Sequence, residues 1–305
     1  MISILLFGGT GQVGLELKQL LSPLGQVIAP SHSEVDFLDP KKVSSFILKV
    51  HPQIIINAAA YNDVDKAEVE SELAYRVNAE TPTLIARLAK LSNAILVHFS
   101  TNYVFDGRKT SPYTEFDIPH PINTYGKTKL ICEQGIQRIN GLYLIVRTSW
   151  VYSFYHNCFP TKIMKLSRSE SSVKVVTDQI ANPTWAHTLA ILTYRILSIS
   201  QNKSRDWWEE RKGIYNIAGN GYCNRYEWAK TILKNDPRKE GQVAVLVPVL
   251  TKDFPSPAKR PLSAALSSDK ISAVFGLQLQ PWETALKNAI SLSEKEGCSL
   301  VKFVQ

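Results

Sequence analysis

Cysteine is scarce in this chain. Its 305 residues hold four thiols, Cys132, Cys158, Cys223 and Cys298, none in a CxxC or Cys/His spacing. That excludes a disulfide scaffold and a zinc ribbon, and it suits a reducing compartment. Blocks of like charge are missing as well. There are 35 Lys and Arg against 27 Asp and Glu, a net charge of +8, but the bases are dispersed from Lys18 to Lys302. With no basic repeat and no aromatic–basic interleaving, no nucleic-acid partner is expected, whereas anionic small molecules suit the excess. No apolar run reaches about 18 residues, so no membrane span is expected. The apolar start, Met1 to Phe7, is short, lacks a basic leader and runs into glycines, so it reads as neither signal peptide nor anchor. A cytoplasmic protein is the expectation. Repeats and low-complexity tracts are also absent.

What is present is a packed, 44% hydrophobic chain long enough for about two domains. Ile2 to Phe7 reads as a buried strand and Leu15 to Leu21 as a helix, with Gly8, Gly11 and Gly14 between them. Strand, glycine turn and helix in that order favour dinucleotide binding. One glycine makes the tight turn, one lets a pyrophosphate approach the backbone, and one lets helix and strand pack closely. The helix start supplies donors and a favourable dipole for phosphate. A second strand, Gln26 to Ala29, leads into Pro30-Ser31-His32-Ser33. Neither the acid that would bond a ribose 2′-hydroxyl nor a base for a 2′-phosphate stands there, so NADH and NADPH both remain open. Asp36-Phe37 either cradles an adenine or opens the next turn.

The β–α alternation continues. A helix is expected over Lys42 to Val50 and a strand over Gln53 to Asn57, whose Ala58-Ala59-Ala60-Tyr61 continuation leaves room for a ligand or serves close packing. Asp63, Asp65 and Glu68 suit the first turn of a helix; a metal site there is not predicted. Thr81 is expected to cap a helix beginning at Pro82 and running to Leu91. The strand Ala94 to Phe99 ends in Ser100-Thr101-Asn102, where the Thr101 hydroxyl either holds a substrate oxygen or caps the strand end. A helix then carries Tyr125 and Lys129, four residues apart and so on one face. A Lys ammonium beside a phenol favours the phenolate and lowers its pKa from about 10, which poises Tyr125 to exchange a proton with a carbonyl or alcohol oxygen. Leu142 to Val146 is the next strand.

This pattern predicts an α/β fold: a doubly wound parallel (Rossmann) sheet with a smaller mixed α/β substrate-binding domain. Residues 1–150 form the dinucleotide-binding domain, with later segments near 175–220 returning to it, and 151–305 form mainly the substrate-binding domain. Gln201 to Lys212, polar apart from Trp207-Trp208, reads as a surface insertion. Helices are expected at 157–166, 187–199, 225–233 and 282–294. The proline-rich loop Lys252 to Pro261 holds Lys259-Arg260, cations that either meet a substrate diphosphate or stay solvated.

Taken together, Gly8-x-x-Gly11-x-x-Gly14, Asn57-Ala-Ala-Ala, Ser100-Thr-Asn-Tyr-Val-Phe105 and Tyr125-x-x-x-Lys129 resemble the extended short-chain dehydrogenase/reductase family. Asn57-Ala-Ala-Ala-Tyr61, Val64-Asp-Lys-Ala-Glu68, Tyr103-Val-Phe-Asp-Gly107, Arg147-Thr-Ser-Trp-Val-Tyr152, Asn182-Pro-Thr-Trp185 and Lys259-Arg-Pro261 narrow the resemblance to its dTDP-4-dehydrorhamnose reductase branch. The resemblance implies NADPH- or NADH-dependent reduction of the C4 ketone of dTDP-4-dehydro-6-deoxy-L-mannose to dTDP-L-rhamnose. It makes Tyr125 the proton donor, Lys129 the residue that tunes the phenol and binds the nicotinamide ribose, and Thr101 the hydroxyl that polarises the carbonyl. Gly11, Gln12 and Val13 would contact the pyrophosphate, and Asp36 and Phe37 the adenosine. Ala60, Tyr61, Asn62 and Phe99 would line the cofactor cleft, Trp150 would pack on the deoxysugar, and Arg260 would meet the dTDP-sugar.

Three departures go with it. Asn102 replaces the family's usual Asp and alters one sugar-hydroxyl contact. Ser31 stands where some members carry an acid. Glu16 matches one position of a magnesium site through which some members dimerise, but Trp185 to Leu189 lacks partner acids; no metal is predicted, and a homodimer is compatible with the chain. The competing assignments are a reductase or epimerase of another nucleotide sugar, and a non-catalytic regulatory subunit on the same scaffold, like the beta subunit of methionine adenosyltransferase. The intact Tyr125, Lys129 and Thr101 argue against the subunit.

Overall fold

The computed structural model describes residues 2–237 and 244–295; Cys298 and Lys302 lie outside that range. Its centre is a six-stranded sheet in which every neighbouring pair is parallel. The strands β1 (Ile2–Phe7), β2 (Gly25–Ile28), β3 (Ile54–Asn57), β4 (Ile95–Thr101) and β5 (Leu142–Thr148) are joined by the late strand Gly213–Asn216, giving the order Gly213–Asn216, β5, β4, β3, β1, β2. The chain leaves β1 for β2 on one side and then crosses to β3 on the other. The crevice where an open sheet of this kind takes ligands therefore opens between the ends of β1 and β3.

The sheet is apolar on both faces because helices cover both. Ile4 and Leu6 of β1 enter one core with Leu17, Leu189, Ile196, Trp208, Ile271 and Phe275. Leu5 and Phe7 enter the other with Val43, Ile47, Ile85, Cys132 and Ile136. The period-two alternation of β1 thus fixes which helix lies on which face. The helix α1 (Gln12–Leu20) starts at Gly11, and α2 (Pro40–Val50) is capped by Asp39, whose side chain accepts from the Lys42 amide, with Pro40 in its first turn.

Two expectations change. Thr81 caps nothing: Ser71–Tyr75, a π-helical turn Arg76–Glu80 and Thr81–Leu91 follow one another without a break. The tertiary contact overrides the local preference, because the Thr81 hydroxyl donates to the Phe37 carbonyl at 2.6 Å. The stretch 201–212 is not a surface insertion either. It carries the helix Arg205–Arg211, capped by Ser204, and it buries Trp208 in the main core with Trp207 packed against it. Polar composition concealed a two-tryptophan anchor.

A third core lies to one side of the sheet and gathers Tyr152, Met164, Val173, Trp185, Trp228, Trp282 and Leu286. It includes the two-stranded parallel pair Ser172–Val176 and Val245–Val249 and the helices Phe159–Ser169, Arg225–Lys234 and Trp282–Lys295. No described helix is long and apolar enough to cross a membrane.

Candidate active site

The helix Thr124–Ile139 sets the geometry. Its cap, Asn123, accepts from the Gly126 amide at 2.8 Å and donates its own amide to the Lys259 carbonyl at 2.8 Å, so one residue starts the helix and holds the proline-rich loop. A Cβ on Gly126 would fall 2.1 Å from the Tyr103 carbonyl oxygen, so glycine there lets the helix lie directly on the 103 backbone. Tyr125 then meets Tyr103 edge to face, ring centroids 5.9 Å apart.

Tyr125, Thr101, Lys129, Phe99, Asn102 and Trp150 line one cleft of about 590 Å³ with Gly11, Gln12, Val13, Ala60 and Asn62. A second cleft of about 500 Å³ shares Gly11, Ala60 and Asn62 and continues past Gly8, Tyr61, Asp36 and Phe37. Of the catalytic, cofactor and substrate residues expected from the sequence, Gly14 and Arg260 lie outside both. Gly14 is a spacer, since a Cβ there would stand 1.9 Å from the Gly8 carbonyl oxygen. Arg260 lies in an adjoining groove of about 560 Å³.

The first cleft fits a dinucleotide phosphate. Gly11 brings no side-chain cap to α1, and a Cβ on it would meet only the Gly8 oxygen at 3.4 Å, so the space over the helix start is open. Tyr61 is fastened to the π-helical turn: Asn78 accepts from the Tyr61 amide at 2.8 Å and donates to its carbonyl at 3.0 Å. At the far end Phe37 packs edge-on against Phe7 and is nearly buried, while the Asp36 carboxylate accepts from the Leu38 amide at 2.9 Å. Ser31 donates from its amide and its hydroxyl to Glu34, both at 2.8 Å, which turns that acid back onto its own loop.

Lys129 does not tune Tyr125 in the way the spacing suggested. Its ammonium donates to the Phe99 carbonyl at 2.6 Å and lies 3.3 Å from His98 Nε2. Burial pushes the Tyr125 phenol up to about 12, with Thr101 pulling the other way. Burial also draws Lys129 below the ordinary lysine range, against Cys132 and Glu133. His98 is held well below the ordinary histidine range by burial and by Lys129, and so is neutral. Asn57 Oδ1 accepts from the Ala59 amide, so its NH₂ faces His98 Nδ1 at 3.1 Å. His98 Nε2 lies between the Lys129 ammonium and the Cys132 sulfur, which is 3.4 Å from it.

Thr101 caps the short turn Asn102–Val104, accepting from the Tyr103 amide at 3.1 Å, and its side chain also borders the cleft. The Ser100 hydroxyl instead donates to Glu133 at 2.5 Å, and Glu133 is paired with Arg147 at 2.6 Å in full burial. The Asn102 amide donates to the Ala264 carbonyl at 2.9 Å and to Ser149 at 3.2 Å. An Asp there could accept but not donate, so the departure from the family pattern ties the turn after β4 to the Ala264 carbonyl. Trp150 holds a left-handed backbone, φ 39°, which is strained for a bulky residue and concentrates at functional sites. Glu16 is engaged by His187 Nδ1 at 2.7 Å. No group of three or more His, Cys, Asp or Glu among the described residues could hold a metal ion.

The sequence assigned no role to His98, Tyr103 or Arg225. A histidine inside the apolar run Ile95 to Phe99 was the available sign for the first. Arg225 gave none: Asn224-x-x-Glu227 reads as an ordinary capping box, which it also is.

A doubly wound sheet with a glycine turn at its switch point and a Tyr-x-x-x-Lys helix beside it defines an extended short-chain dehydrogenase/reductase. Within that class the chain belongs to the dTDP-4-dehydrorhamnose reductase family. The family model described as "RmlD substrate binding domain" matches residues 2–294. The dTDP-4-dehydrorhamnose reductase of Salmonella typhimurium is 38% identical over 297 residues, 95% of this chain and 97% of that protein. The crystal structure of the Bacillus anthracis dTDP-4-dehydrorhamnose reductase in complex with NADP superposes with a TM-score of 0.87 at 31% identity, covering 96% of this chain and 100% of that one. A Thermus thermophilus UDP-glucose 4-epimerase complex with NAD, 16% identical, shares the fold with a TM-score of 0.77 over 95% of this chain and 98% of that one.

Proposed function

We propose that the protein reduces the C4 ketone of dTDP-4-dehydro-6-deoxy-L-mannose to give dTDP-L-rhamnose, using NADPH or NADH. The observation that carries this reading is the convergence of Tyr125, Thr101 and Trp150 on a cleft continuous with the glycine turn. Gly11, Gln12 and Val13 hold the cofactor's phosphates, Asp36 and Phe37 its adenosine, and Lys129 its nicotinamide ribose. The bound nicotinamide supplies the hydride.

The chain supplies position and a proton. Trp150 supports the deoxysugar ring. The Thr101 hydroxyl donates a hydrogen bond to the ketone oxygen and favours the charge that develops there. The Tyr125 phenol, kept protonated by burial, gives its proton to that oxygen as the alcohol forms. A label settles the direction of transfer. With NADPH deuterated at the transferable position, one deuterium should appear on C4 of the product sugar. In deuterium oxide with ordinary NADPH, C4 should carry none. Solvent deuterium on C4 would contradict direct reduction.

A further inference from the structure

Arg225 lies between the cleft and the adjoining groove. Its guanidinium carbon is 3.7 Å from the Trp150 ring centroid, 4.7 Å from Phe159 and 5.3 Å from Trp228. Stacking occupies the faces of the guanidinium and leaves its N–H edge for hydrogen bonds. No acid among the described residues forms an ion pair with Arg225. Burial draws it down to about 10, and the Arg260 charge adds to that effect. Arg260 differs: both oxygens of Asp65 hold it, at 3.0 and 2.6 Å. A partly buried cation without a counter-charge is unfavourable unless a ligand brings the anion.

Position identifies that anion. Trp150, the ring beneath Arg225, borders the cleft with Tyr125 and Thr101. Both guanidinia face the Tyr103 phenol, and Tyr103 touches Tyr125. In a pyranose, C4 and the anomeric carbon lie across the ring from each other. A sugar with its C4 oxygen at Tyr125 and its ring on Trp150 therefore turns its anomeric substituent away from Tyr125. The groove that follows has Arg225 and Arg260 at its border and Phe159, Val173 and Val175 as an apolar wall.

Resting on the reading of the protein as a nucleotide-sugar reductase, we propose that Arg225, rather than the already neutralised Arg260, is the principal anchor of the substrate's diphosphate, with the nucleoside lying in the groove beyond. The test titrates dTDP, and separately thymidine, into the NADPH-saturated full-length protein by calorimetry. Arg225→Met should weaken dTDP roughly ten- to a hundredfold, the range expected for charged hydrogen bonds. Thymidine and NADPH affinities should stay unchanged, and Arg260→Met should cost dTDP only a few-fold. Arg225→Lys, which restores the charge, should recover part of the loss and guards against a purely structural effect. Arg225→Met binding dTDP within twofold of wild type would overturn the proposal, as would a loss shared equally by thymidine or not recovered by lysine. If the wild type binds UDP and not dTDP, and Arg225→Met weakens UDP, the anchor stands and the rhamnose reading falls.

Discussion

At the scale of single residues the proposed reduction turns on the protonation of Tyr125. Tyr125→Phe removes the proposed acid and little contact area. It should lower kcat by about two to four orders of magnitude while the NADPH dissociation constant, measured by fluorescence titration, stays nearly unchanged. The pH dependence follows from burial. The proposed reduction needs the protonated phenol, and a group raised to about 12 stays protonated below that value and loses its proton only as pH rises through it. The kcat/KM for reduction should therefore hold from about pH 6 to pH 9. A fall centred near neutrality would mean that Lys129 depresses the phenol after all. The residue types of the site were legible in the sequence because spacing alone puts Tyr125 and Lys129 on one helical face. Their electrostatics were not. The Lys129 ammonium is committed to the Phe99 carbonyl, a partner 30 residues away that no local pattern discloses.

At the scale of elements, the helix Thr124–Ile139 is tied to β4 and β5 by charge as well as packing. Arg147 of β5 meets Glu133 of the helix, Glu133 also receives Ser100 of β4, and all three are buried. Arg147→Met would leave the Glu133 carboxylate without its cation, and such a break costs about 3–5 kcal/mol. Urea unfolding should show that loss, and Arg147→Met with Glu133→Leu should recover most of it. Strands and helices with strong periodicity were legible, from β1 to the Tyr125 helix, since a buried parallel sheet writes itself as apolar runs between helices. Two elements were not. In the π-helical turn Arg76–Glu80, Asn78 bonds Tyr61, a tertiary contact that local propensity does not disclose. The helix Arg205–Arg211 has a polar composition, and its two tryptophans serve the core of a sheet assembled far earlier in the chain.

At the scale of the whole molecule, the proposed substrate site lies between the sheet and the third core, with Tyr125 and Trp150 on one cleft and Phe159 and Arg260 on the adjoining groove. Asp65, just before the helix Lys66–Val69, and Arg260, in the proline-rich loop, pair across that gap at 2.6 Å. Asn123 adds its bond to Lys259. Asp65→Asn should raise KM for the nucleotide sugar a few-fold and leave the NADPH dissociation constant as it is, because α1 and the glycine turn are not involved. An equal loss for both ligands in steady-state and binding measurements would argue against this division of labour. The return of the chain to the sheet at Gly213–Asn216 could be sensed from its apolar stretch. The environment of Arg225 could not, because Trp150, Phe159 and Trp228 are scattered along the sequence and meet only in the fold.

The most direct test of the account mixes the purified protein with dTDP-4-dehydro-6-deoxy-L-mannose and either NADPH or NADH, follows loss of the reduced cofactor and identifies the sugar nucleotide formed. Oxidation of cofactor matched mole for mole by dTDP-L-rhamnose is the predicted result, and the two rates rank the cofactors. Binding of both ligands with no oxidation, or a product other than dTDP-L-rhamnose, would contradict it.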